Sequence, residues 1–132
     1  MKSSPSSPRT ARGLTLLELT VVIIVLLSLI SIIFVGARAW KKGSDRSGCV
    51  INIRNAQQAV RSYQNLKALP TYTPINMFTD ILGPGNFIEH DVICPAGGDY
   101  DHIGYIPEQG EMAMWCSLAA SDEHVPANTS DW

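Results

Sequence analysis

The sequence predicts an α+β fold: a long N-terminal stem helix packed on a small antiparallel β-sheet head. Three observations predict it. Residues 19–37 are uncharged and almost wholly apolar. Beyond them, Cys49, Ile53, Ala56, Val60, Tyr63 and Leu66 recur at steps of three and four, the spacing of one helix face. Farther on, Tyr100–Ile106 and Glu111–Cys116 are rich in β-prone residues and flank Pro107-Glu-Gln-Gly110, a hairpin-loop signal.

Taken in order, residues 1–13 form a leader with Lys2, Arg9 and Arg12 and no acid. Residues 14–39 follow as a membrane helix. Leu19 to Ala37 is long enough to cross a hydrocarbon core of about 30 Å at about 1.5 Å per residue. The basic leader favours a cytoplasmic N-terminus. Arg38, Lys41 and Lys42 lie on the far side, so the charge bias is not one-sided, and the short leader and early insertion favour N-in. Glu18 is the one charge between Arg12 and Arg38. A carboxylate in such a helix costs about 2.5–3.5 kcal/mol at the bilayer centre and less near an edge, so it calls for a partner.

Residues 40–132 make the head, too small for a large core. The amphipathic helix is expected over about 48–67, with Arg54, Gln57, Gln58, Arg61 and Gln64 on its other faces. Before it, Lys42-Gly-Ser-Asp-Arg-Ser-Gly48 has two glycines, each lowering helix propensity by about 1 kcal/mol, and is open to a kink, a frayed turn or a break. Leu69-Pro70 ends the stem. Ile75–Leu82 is expected as a short helix stopped by Gly83-Pro84-Gly85. A β-hairpin follows over about 99–117, with a third short strand near 117–119 or 124–126.

Charge is unevenly spread. Formal net charge is −2, yet Arg38, Lys41, Lys42, Arg46, Arg54, Arg61 and Lys67 face only Asp45. From residue 71 onward there is no Lys or Arg, while ten of the twelve acids lie there, all but Glu18 and Asp45. A basic stem under an acidic head suits stem–head contact between subunits, or simple solvation of both parts. It argues against a nucleic-acid-binding face on the C-terminal half. No nucleophile elbow, phosphate-binding loop, zinc-protease motif or dinucleotide fingerprint occurs, so no enzyme is expected.

Three cysteines leave one unpaired. Cys94 and Cys116 flank the hairpin, and a disulfide between them would close a loop of about 20 residues, worth about 3 kcal/mol in the loop-entropy account. Cys49 falls on the apolar stripe and reads as a buried thiol or as a bridge to another subunit. Cys94, Cys116, His102 and His124 supply zinc-type atoms, but without the usual ligand spacing, so no metal is assigned to them.

Gly13, an apolar residue at 14, Thr15, Leu16, Leu17, Glu18 and then an unbroken apolar helix resemble the processing signal of type IV pilins and type II secretion pseudopilins. The resemblance implies that a prepilin peptidase cuts after Gly13 and that the new α-amine on Leu14 is methylated. It implies that Glu18, at the fifth mature position, pairs with the N-terminal amine of a neighbouring subunit. The first residue is usually Phe, and Leu14 keeps its apolar character. Cys94-Pro-Ala-Gly-Gly-Asp-Tyr100, Gly110, Cys116-Ser117 and His124-Val125 look like the head of small proteins close to the major pseudopilin.

The implied function is a structural subunit held in the bacterial inner membrane with its head in the periplasm. An assembly platform would polymerise it with copies of itself and related pilins into a pilus or pseudopilus. Calcium binding, known in the secretion-type members, would fall to Asp99, Asp101, Asp122 and Glu123, although no EF-hand spacing is present. Two other readings stand. One is a membrane-anchored extracytoplasmic binding module. The other is a secreted domain released by cleavage after Ala39, where Ala37-Arg38-Ala39 matches a signal-peptidase site.

Overall fold

The structure, a computed structural model, describes Gly13 and residues 15–132. The rest of the leader and Leu14 lie outside the described residues. The chain divides after Arg38 into two units, and the second, Ala39–Trp132, holds the buried core. The α+β fold is borne out. Helix α1 spans Leu16–Lys67, and the sheet pairs β1 (Tyr100–His102) with β2 (Met114–Cys116) antiparallel.

In the N-terminal unit, α1 is apolar on every side, and none of the residues from Leu16 to Val35 is buried. It is long and apolar enough to cross a membrane. Its polar side chains turn inward on the backbone. Thr20, Ser28 and Ser31 donate to carbonyls three or four residues earlier, at 2.8 Å each. Bonds of this kind satisfy hydroxyls where no water is present.

In the second unit α1 is helical through residues 43–48, with no break. Lys41 pairs with Asp45 one turn on, at 2.8 Å, and Ser47 Oγ donates to the Gly43 carbonyl at 3.0 Å. Tertiary packing overrides the low propensity here. Gly48 is small for a packing reason: a Cβ there would come within 3.0 Å of Pro95 Cγ. The buried stripe is Cys49, Ile53, Ala56, Ala59 and Val60, with Tyr63 partly buried. Leu66 was expected on the stripe but is exposed, because the chain turns away at once: Ala68 adopts φ 51° and Leu69 N–H bonds back to the Gln64 carbonyl.

Gln57, which the spacing puts off the apolar stripe, is buried. Its amide oxygen accepts from Ala113 N–H at 2.7 Å and its Nε2 donates to the Glu111 carbonyl at 3.0 Å. It thereby serves as the partner for two backbone groups of the segment that runs into β2.

The core has two parts along α1. One joins Ala59 and Val60 to Ile75, Met77, Ile81 and Ile106. The other joins Cys49, Ile53 and Ala56 to Cys94, Met114 and Cys116. The expected helix at 75–82 is a single π turn, Met77–Ile81, capped by Asn76, whose side chain accepts from Phe78 N–H at 3.0 Å. Five residues suffice to bury Met77 and Ile81. The strands are shorter than the β-prone segments because, beyond the Ile103 N–H bond to the Ala113 carbonyl at 3.0 Å, the chain leaves the ladder to pack elsewhere. Tyr105 bridges to Pro74, and Tyr72 N–H reaches the Ile106 carbonyl at 2.8 Å. No third strand occurs among the described residues, and 117–121 is turn instead.

Candidate functional site

At the start of α1, Thr15 caps the helix: its Oγ1 accepts from Glu18 N–H at 3.2 Å, and its carbonyl accepts from Leu19 N–H at 3.1 Å. Thr15-x-x-Glu18 is a capping-box sequence, and Glu18 occupies the first turn, where the helix dipole favours a carboxylate. Glu18 thus has a local role within its own chain. The Thr-x-x-Glu pattern signals this role, which is separate from the intermolecular pairing that the family resemblance implies for Glu18. Gly13 is exposed just before the helix.

The second constellation lies in the head. α1 carries Cys49, the loop 94–98 carries Cys94, the end of β2 carries Cys116 and the turn after it carries His124. All four are almost fully buried, at 0, 2, 1 and 1 % exposure. Their donor atoms lie within 4.8 Å of one another, and among the described residues this is the one such group of metal-binding side chains. Cys94 Sγ stands 3.8 Å from Cys116 Sγ and 3.4 Å from His124 Nδ1. Tyr100 Oη donates to Cys49 Sγ at 3.3 Å and is itself held by Asn52 Nδ2 at 3.2 Å.

The two cysteines of the expected Cys94–Cys116 disulfide are neighbours in the head, their sulfurs 3.8 Å apart. The two sulfurs meet as thiols, and so does Cys49. The open end of the hairpin packs on α1, so the pair shares its space with Cys49 and His124 rather than standing alone. Gly98 permits this approach, since a Cβ there would fall 2.8 Å from both Cys116 Sγ and Leu118 Cγ. His102 stands apart, with its ring edge-on to Phe78 at 5.1 Å and its Nδ1 without a partner. Sequence spacing missed Cys49 because the helix supplies it from far upstream.

The thiols differ electrostatically. Burial pushes Cys49 up to about 12, with Tyr100 acting in the opposite sense. For Cys94 burial also acts upward, but the backbone amides of Ala96 and Gly98 and the neighbouring thiols outweigh it and hold Cys94 below the ordinary thiol range. Tyr100 is raised, by burial first and then by its bond to Cys49.

The acids named for calcium do not gather. Asp122 pairs with Lys42, and Glu123 pairs with Arg46. Asp101 is the exposed residue of β1, opposite Trp115, and the Asp99 backbone bonds to Ser117. Two basic residues of α1, Lys42 and Arg46, thus meet acids of their own head. Arg61 goes further, donating to the Pro107 and Glu108 carbonyls at 2.6 Å each and to the Trp132 carbonyl at 3.2 Å.

No protein-family model, curated protein or solved structure matches this chain.

Proposed function

We propose that this chain is a prepilin-like subunit. In this reading it is trimmed after Gly13, anchored in the bacterial inner membrane by its N-terminal helix, and polymerised into a pilus or pseudopilus with its head outside the cytoplasm. The observation that carries the reading is the surface of α1 from Leu16 to Val35, apolar all round, unburied, and interrupted by one charge, Glu18. Apolar surface on that scale demands cover from lipid or from other stems. Lipid alone covers the apolar residues but gives Glu18 no counter-charge.

Cleavage after Gly13 creates an amine on Leu14, four residues before Glu18 and at the same end of the helix. In a staggered array, Glu18 of one stem compensates the amine of the next. Misregistered stems leave both charges unpaired in an apolar core, so the pairing sets axial register. The Thr15 cap fits this role, because it fixes the first turn and hence the position of Glu18.

Glu18→Val and Glu18→Ala are expected to insert and to be cleaved but to yield at least about tenfold fewer filaments, the factor that 1.4 kcal/mol of lost pairing gives. Electron microscopy of cells carrying the assembly machinery reads the yield. Filaments at the unsubstituted level from either variant would refute the pairing.

A further inference from the structure

We propose that Cys49, Cys94, Cys116 and His124 bind one zinc ion, a Cys3His site that clamps α1 to the open end of the hairpin, where β1 begins and β2 ends. A tetrahedral zinc with bonds of about 2.3 Å to sulfur and about 2.0–2.1 Å to nitrogen has sulfur–sulfur edges of about 3.8 Å and sulfur–nitrogen edges of about 3.5 Å. The Cys94–Cys116 and Cys94–His124 separations are 3.8 and 3.4 Å. No pair in the set exceeds 4.8 Å, so the widest needs to close by only about 1 Å to complete a tetrahedron of this size. Three thiols and one imidazole are a soft donor set that favours zinc over the oxygen-seeking cations.

The surroundings fit a structural site. Four protein donors fill a tetrahedron and leave no open position, as in structural rather than catalytic zinc centres. Binding releases the three thiol protons and leaves a complex of net charge −1. Donors to sulfur are already in place for that charge: Tyr100 Oη on Cys49, and the Ala96 and Gly98 amides on Cys94. Such outer partners orient ligands and stabilise thiolates. The bare Gly98 lets its loop lie against Cys116 Sγ.

A Cys94–Cys116 disulfide would use two of the four donors. It would leave the Cys49 thiol and the His124 imidazole buried beside it with no task. The zinc site uses all four and joins the helix, the 94–98 loop, β2 and the 118–124 turn. A head of this size gains from such a staple, because its core alone is small.

The test uses the full-length chain in detergent, purified under reductant. Elemental analysis is expected to find about one zinc per chain, released when a mercurial blocks the thiols. Replacement by cobalt(II) is expected to give thiolate-to-cobalt charge-transfer bands and intense ligand-field bands of tetrahedral type. Cys49→Ser, which spares both partners of the alternative disulfide, is expected to weaken zinc by at least about 100-fold. Tyr100→Phe is expected to keep the stoichiometry but weaken affinity roughly 10–100-fold.

The proposal is overturned if the reduced unsubstituted chain takes up neither zinc nor tetrahedral cobalt. It is equally overturned if zinc affinity is unchanged by Cys49→Ser, or if the chain isolated without reductant carries a quantitative Cys94–Cys116 disulfide and no metal. Because the unsubstituted chain is measured directly, misfolding of a variant does not obscure the result. Metal content is read whether or not filaments form, so failure here leaves the filament reading standing, and the reverse also holds.

Discussion

Residues 16–38 and residues 39–132 follow opposite patterns of burial. In the first unit apolar side chains face outward on all sides and hydroxyls fold back on the helix. In the second, only one stripe of α1 is apolar and buried, and its polar residues bond to the head. The same helical backbone therefore supports two kinds of contact. The N-terminal half leaves its apolar surface uncovered, whereas the C-terminal half finds its contacts within its own fold.

The sharpest break of that comparison comes from matched truncations. Ile53→Ala empties a fully buried site and is expected to cost the head about 2–5 kcal/mol, seen as a large fall in melting temperature. Ile24→Ala removes the same atoms from an unburied site and is expected to leave head melting unchanged. Equal losses from the two would show that the units do not differ as described.

Gln57 sharpens the account of the second unit. Gln57→Ala leaves the Ala113 N–H and the Glu111 carbonyl without partners, so a loss of about 1–3 kcal/mol is expected. Hydrogen exchange at Ala113 should accelerate in step, and an unchanged exchange rate would contradict the strand-like role of this side chain.

The smallest effect is expected from the ion pair between Lys42 and Asp122. The Lys42 hydrogen bond and charge lower the Asp122 pKa, and those of Asp122 raise the Lys42 pKa. A depressed carboxylate contributes fully above its unfolded value of 3.8 and loses that contribution as pH falls through the folded value. A raised lysine contributes fully below 10.5 and loses it as pH rises through its folded value. Lys42→Met should therefore lower the melting temperature slightly between these limits, less so in high salt, and not at all well below pH 3.8. A salt-insensitive effect would mean that Lys42 acts by packing.

Much of this architecture was legible in the residues, and the reasons differ by element. The apolar run and the i, i+3, i+4 stripe report directly on helix and burial, and both appear where expected. The hairpin's place was legible from its loop signal, but its strand lengths were not, since Tyr105 and Ile106 leave the ladder for contacts around residues 72–74. Gln57 escaped because polarity alone does not reveal a buried amide whose two bonds are made by chain more than fifty residues away. Cys49 was placed on the buried stripe, yet its company with Cys94, Cys116 and His124 depends on how the hairpin seats on the helix. Linear spacing carries no trace of that. The continuity at 43–48 was hidden for a related reason: local propensity disfavours it, and the close approach of Pro95 to Gly48 lies outside any local window.

The central claim is that the N-terminal helix stays with the protein and begins, in the mature chain, just ahead of Glu18. Intact-mass analysis of the protein extracted from membranes of cells that express prepilin peptidase tests it most directly. The account predicts a chain beginning at Leu14, one methyl group heavier than the bare sequence. A soluble chain beginning at Trp40 would contradict it.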